Sequence, residues 1–126
     1  MATILPFKAV RPTRDKVGLF ATRTYLSYSK KGLTEKLLNN PFTFLQIINP
    51  DFNQKKTLKG NQKFDLIKKK YNSFLEQKII KKDKEKAFYI YYLKHEGNEY
   101  KGIIATASTE EYEKGLIKKH EKTLKK

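Results

Sequence analysis

Hydrophobic and polar positions change period several times along this chain, and each change marks an element. Across residues 61–80, Phe64, Ile67, Tyr71, Phe74, Leu75 and Ile79 recur at three- and four-residue steps, which puts them on one face of a helix. Lys68, Lys69, Lys70 and Lys78 fall on the other faces, as a solvated helix surface requires. Residues 81–86 are a charged connector. Ala87-Phe88-Tyr89-Ile90-Tyr91-Tyr92-Leu93 is then an unbroken apolar run, which predicts a strand buried on both faces and central in a sheet. Glu96-Gly97-Asn98 predicts a turn and residues 100–108 the returning strand, so the pair reads as a hairpin.

The first half is less regular. Residues 4–10 read as a strand, with Pro6 tolerable only near an edge or a strand start. Residues 11–15 read as a turn or loop, because Pro12 lacks a donor and restricts Arg11 to extended conformations. Residues 17–28 favour irregular structure or a short strand. Ser29 or Thr34 can cap a helix over 33–39, ended by Asn39-Asn40-Pro41. Residues 42–48, β-branched and aromatic between Pro41 and Pro50, predict a second strand, and 49–60 a polar loop. Near the end, Ser108-Thr109-Glu110-Glu111 matches the S-x-x-E capping box and starts a helix at Thr109. Gly115 ends that helix or lets the backbone approach something closely. The sum is one α+β domain over residues 1–126: a small mixed sheet of about four strands with a central hairpin, and two or three helices.

Composition narrows the classes. At 126 residues the chain is long enough for a core without staples, and eight Tyr and eight Phe argue against disorder. The absence of cysteine removes disulfides and thiolate zinc sites and fits a reducing, cytoplasmic location. No apolar stretch reaches the roughly 18 residues of a bilayer span, so no membrane partner is expected. The net charge of +15 points toward nucleic acid. Against that, the charge is even along the sequence, +8 over residues 1–60 and +7 over 61–126, and only Arg11, Arg14 and Arg23 are arginines. Lysine is the ordinary solvated charge, whereas arginine is the usual bidentate reader of phosphate and guanine.

The densest chemistry lies at the end of the sequence. In Lys118-Lys119-His120-Glu121-Lys122-Thr123, an imidazole beside a carboxylate can move a proton or orient a hydroxyl, and Lys118, Lys119 and Thr123 can contact phosphate oxygens. The alternative is a charged helix end, where Lys118, Lys119 and His120 oppose the helix dipole. Thr123-Leu124 stands where H-E-x-x-H needs its second histidine, and His95 and His120 are the only histidines, so no metal site is expected. Arg11 and Arg14, leaving the first strand, are a second candidate for ligand contact, or an ordinary surface pair beside Asp15. His95, next to Glu96, reads as a solvated turn residue.

Three blocks resemble the start of a conserved prokaryotic family known only as domain of unknown function 1015. They are Ile4-Leu5-Pro6-Phe7-Lys8-Ala9-Val10-Arg11-Pro12, then Asn40-Pro41-Phe42-Thr43-Phe44-Leu45 with Asn49-Pro50, and finally Gly115-Leu116-Ile117-Lys118-Lys119-His120-Glu121-Lys122-Thr123. Members are longer and carry, further on, an Asp-Gly-His-His-Arg segment similar to the phosphate-binding region of the ParB/sulfiredoxin-like superfamily, which includes CTP-hydrolysing partition proteins and free-serine kinases. The resemblance therefore implies a ParB-like fold, and an N-terminal fragment whose partner is the missing C-terminal part of the same protein. It also implies a nucleotide-dependent small-molecule kinase using ATP, ADP or CTP with magnesium. In that picture Lys118, Lys119 and Thr123 touch phosphates, His120 or Glu121 orients or deprotonates a substrate hydroxyl, and Arg11 faces the same cleft. Residues 21–29 depart from the family pattern, because a Pro-Tyr-Asp-like stretch has lost its acid here, so no role for that acid carries over. Two other readings stay open: a nucleic-acid-binding module, and a structural half-domain with no activity of its own.

Overall fold

A computed structural model describes residues 2–119 of the chain. The elements run β1 (Ile4–Leu5), β2 (Val10–Pro12), α1 (Val17–Phe20), α2 (Lys30–Asn39), α3 (Leu45–Ile48), α4 (Asn61–Glu76), β3 (Ile80–Lys82), β4 (Tyr89–His95), β5 (Asn98–Ile104), β6 (Thr106–Ala107) and α5 (Thr109–Glu113), an α+β arrangement. The strands pair two by two and antiparallel: β1 with β6, β2 with β3, β4 with β5. Two compact units result, one spanning Val10–Lys82, the other joining residues 1–9 to 83–126.

The Val10–Lys82 unit holds every fully buried apolar side chain among the described residues: Leu37, Leu45, Ile47, Phe74, Ile79 and Ile80. Helix α4 supplies the floor, because its apolar stripe brings Phe74 into one cluster with Ile47, Ile79 and Ile80, flanked by Phe20, Phe42 and Ile67. The helix stops at Glu76, four residues before the end expected from its periodicity. Lys78 takes a left-handed φ of 57°, its N–H bonds Leu75 O at 3.1 Å, and Ile79 N–H bonds Phe74 O at 3.0 Å. This is the Schellman ending, with lysine in the position glycine usually fills. It turns the chain directly into β3, whose residues Ile80 and Lys82 pair with Pro12 and Val10. Arg11 and Pro12 accordingly lie in a strand, and the loop expected at 11–15 begins only at Thr13, whose N–H bonds Ile79 O at 3.0 Å.

Residues 42–48 correct the sequence reading. The expected strand is a turn followed by the one-turn helix α3. Its flanking polar side chains explain why: the Asn40 carboxamide oxygen accepts from Phe42 N at 3.0 Å, and the Thr43 hydroxyl accepts from Leu45 N at 3.4 Å. Side-chain acceptors of this kind draw the backbone into turns and helix starts instead of a ladder. Helix α2 follows its sequence signal, with Ser29 Oγ accepting from Gly32 N at 3.1 Å, although it starts at Lys30.

In the second unit, β1 pairs Ile4 with Ala107 and Leu5 with Thr106, and a single bridge joins Phe7 to Ala87. The ring of Phe7 meets Tyr89 at 5.1 Å, and the Tyr89 hydroxyl donates to Asp83 at 2.5 Å while accepting from Ala9 N at 2.9 Å. The β4–β5 hairpin closes on Glu96 and Gly97, both at positive φ (49° and 77°), as a two-residue type I′ loop demands. The second correction falls here. The apolar run 87–93 is not buried on both faces: among the described residues β4 has only β5 beside it, and Ile90, Tyr91, Tyr92 and Leu93 are exposed. An unbroken apolar run states what both faces of a strand prefer to touch, and does not itself supply the covering layers.

Charge is even along the sequence but uneven across the fold. Val10–Lys82 has 17 basic and 5 acidic residues, a net +12, while residues 1–9 with 83–126 have 11 and 8, a net +3.

Candidate functional site

The C-terminal candidate is built on α5. Ser108 Oγ accepts from Glu111 N at 3.3 Å, which is half of the capping box. The other half is diverted. The Glu111 carboxylate accepts from Thr3 N at 2.7 Å and from the Thr3 hydroxyl at 2.8 Å, tying α5 to the residues before β1. These bonds, the backbone N–H first, hold the Glu111 carboxyl below its ordinary pKa. Glu110 pairs with Lys114 one turn on. Helix α5 then ends in a second Schellman turn, with Gly115 at φ 74° and Leu116 N–H bonded to Glu111 O at 2.9 Å.

Lys118 and Lys119 follow this turn, outside the helix, so the reading of them as a helix end opposing its dipole does not apply. The Lys119 ammonium lies 4.5 Å from the centre of the Tyr112 ring, a cation–π contact. Two of the three α5 carboxylates, Glu110 and Glu111, are engaged elsewhere, and neither lysine has a carboxylate partner among the described residues. His120, Glu121 and Thr123 lie outside the described residues. Arg11 is on β2, directly opposite Lys81, in the Val10–Lys82 unit. Asp15 turns to Thr13 and, at 3.7 Å, to Lys16. The Thr13 hydroxyl is the leading reason its pKa is lowered. His95 sits at the hairpin tip, exposed and 3.6 Å from Glu96. Among the described residues, no group of three or more His, Asp or Glu side chains is placed to hold a metal ion.

Two features escaped the sequence. One is a polar groove of about 380 Å³ between Tyr28, Glu35, Lys36 and Asn39. There the Tyr28 hydroxyl is 3.1 Å from that of Thr22, the main cause of its lowered pKa, with Lys36 and Arg23 adding positive charge. The other is an apolar cavity of about 480 Å³ on the hairpin unit, lined by Ile4, Phe88, Ile90, Ile103 and Ala105. Next to it on the same face is Tyr92, with the ammonium groups of Lys94 and Lys101 at 5.8 and 5.9 Å from its ring. Tyr92 hydrogen-bonds to Glu99, which raises its pKa. The signal for this face was the register of the hairpin: a two-residue loop at 96–97 already sets Ile90 opposite Ile103 and Tyr92 opposite Lys101.

Fold and candidate site together define an α+β protein with a small helix-based core, an open apolar hairpin and, after α5, a lysine pair with no carboxylate partner among the described residues. The chain belongs to the family described as Protein of unknown function (DUF1015), whose profile matches residues 4–126. Neither a curated protein nor a solved structure matches it. No helix among the described residues is long and apolar enough to cross a membrane.

Proposed function

We propose that this chain is the N-terminal, phosphate-recognising part of a nucleotide-dependent phosphotransferase of the ParB-like kind, completed by sequence C-terminal to Lys126. The observation that carries this reading is the pair Lys118 and Lys119. They leave a tight glycine turn, Glu110 and Glu111 are engaged with Lys114 and Thr3, and among the described residues no carboxylate, Glu113 included, pairs with either lysine, which leaves their charge for an outside anion. Lys118, Lys119 and Thr123 hold the phosphates of ATP or CTP supplied with magnesium. A substrate hydroxyl oxygen attacks the terminal phosphorus, the nucleoside diphosphate leaves, and His120 or Glu121 takes the hydroxyl proton. Such a transfer needs alignment and charge stabilisation more than covalent chemistry, which fits this residue set.

Isothermal titration calorimetry with Mg–ATP, ADP and CTP tests the reading on the longest product of the reading frame. Binding that falls at least tenfold in the Lys118→Ala, Lys119→Ala double variant supports it. No binding by that product removes it.

The uneven charge favours a second reading, nucleic-acid binding through the +12 unit. It requires an affinity for DNA or RNA that falls steeply with salt. A protein indifferent to both at low salt ends it.

A further inference from the structure

The hairpin unit contains no fully buried side chain among its described residues, while its most exposed apolar side chains are a cross-strand pair, Ile90 (78%) and Ile103 (75%). Contiguous exposed apolar surface of this kind marks an interaction site. On the same face, the apolar cavity gives way toward the hairpin tip to Tyr92 with Lys94 and Lys101. Lys94 is 3.5 Å from Glu99, whereas Lys101 has no carboxylate partner among the described residues. The backbone adds a second demand: β5 pairs only with β4, so its seven residues present an outer edge with no partner among the described residues.

We infer that the outer edge of β5 and this face receive an extended segment of a partner polypeptide that alternates apolar and acidic positions. The added strand runs antiparallel to β5. Its backbone satisfies the open edge, one apolar side chain enters the cavity beside Ile103, and a carboxylate two residues on meets Lys101. Charge selects the partner over a second copy. Lys101 is the middle residue of β5, so the two-fold β5–β5 pairing that overlaps all seven residues sets Lys101 against its own counterpart, and like charges directly opposite are destabilising. A lipid surface suits the aromatic and lysine side chains but offers nothing to the bare backbone edge. This surface is separate from the lysine pair, and its test contains no nucleotide, so its failure leaves the phosphotransferase reading intact.

The test uses the full chain and a fluorescein-labelled heptapeptide, Val-Val-Thr-Glu-Val-Thr-Thr, which places Val opposite Ile103 and Glu opposite Lys101. A twin carries Lys in place of Glu. Fluorescence anisotropy is expected to show the Glu peptide binding at least tenfold tighter than its twin. Lys101→Glu reverses that preference. Ile103→Thr abolishes binding of both peptides while leaving the circular dichroism unchanged, since the side chain is exposed. Equal binding of the twins, no binding at millimolar peptide, or unchanged binding by Ile103→Thr overturns the inference. A dimer in sedimentation that Ile103→Thr dissolves replaces the partner with a second copy. Binding only to vesicles of phosphatidylcholine and phosphatidylserine replaces it with a lipid surface.

Discussion

Lys78 occupies a backbone position made for glycine, and replacing it should stabilise the protein. Its φ of 57° lies in the left-handed region, where an L-residue costs about 1–2 kcal/mol. Glycine relieves that strain but loses about 0.5–1 kcal/mol more backbone entropy on folding. The Lys78 side chain is exposed and makes no ion pair among the described residues, and the two turn hydrogen bonds use main-chain atoms only. The apolar contact that accompanies this turn, Phe74 with Ile79, is untouched because both stay in the core. Lys78→Gly should therefore gain about 0.5–1 kcal/mol. For a unit of this size that raises the melting temperature by roughly 2–8 °C. Circular dichroism at 222 nm reads it well, since α2 and α4 both lie in the Val10–Lys82 unit. Lys78→Asn should fall between lysine and glycine, and Lys78→Val below lysine, because a β-branched side chain resists positive φ. A melting temperature lowered by glycine, or raised by valine, would refute the reasoning and mean that Lys78 contributes through its side chain.

The remaining expectations concern the core and the α5 tie. Phe74→Ala, at a side chain only 1% exposed, should cost about 3–5 kcal/mol in urea unfolding and leave the Val10–Lys82 unit marginal; a cost below about 1 kcal/mol would place the core elsewhere. Gln46→Leu removes the buried carboxamide that donates to Leu37 O at 2.6 Å and Asn40 O at 3.2 Å, and should cost about 1–3 kcal/mol by the same measurement although the side chain becomes more apolar. Glu111 has its folded-state pKa depressed below 4.5, so its bonds to Thr3 stabilise the fold fully above that value and are lost as pH falls through the depressed one. Acid melts of Glu111→Gln should lack this part of the pH dependence, and a pH profile identical to that of the native chain would show that the Thr3 contact contributes nothing.

What the sequence disclosed was governed by how locally each feature is determined. The apolar stripe of α4, the Ser108 cap, the cap expected at Ser29 or Thr34 and the turn expected at 96–98 depend on residues a few positions apart, and all four are present. The cap is at Ser29, and the turn narrows to 96–97 because Asn98 of β5 already pairs with His95. The stretch 42–48 was misread because four to seven apolar residues fit a strand or a buried helix equally well. The hydrogen bonds that decide it come from Asn40 and Thr43, side chains whose partners periodicity does not reveal. The early stop of α4 was hidden for a related reason, since a lysine at a left-handed position carries no sequence mark. At the candidate site, the lysine pair was visible as a cluster. That no carboxylate among the described residues pairs with it was not, because one part of that depends on Thr3, more than a hundred residues away, drawing off Glu111.

Val10 and Lys82, the two ends of the helical unit, are direct partners in the β2–β3 ladder. The unit therefore begins and ends on one rung of that ladder. During synthesis its residues emerge as an unbroken block and can collapse around Phe74 before the ribosome has delivered β4. Strand β1 finds its partner β6 only about a hundred residues later, and until then the backbone N–H and C=O groups of Ile4 and Leu5 are open to other strands.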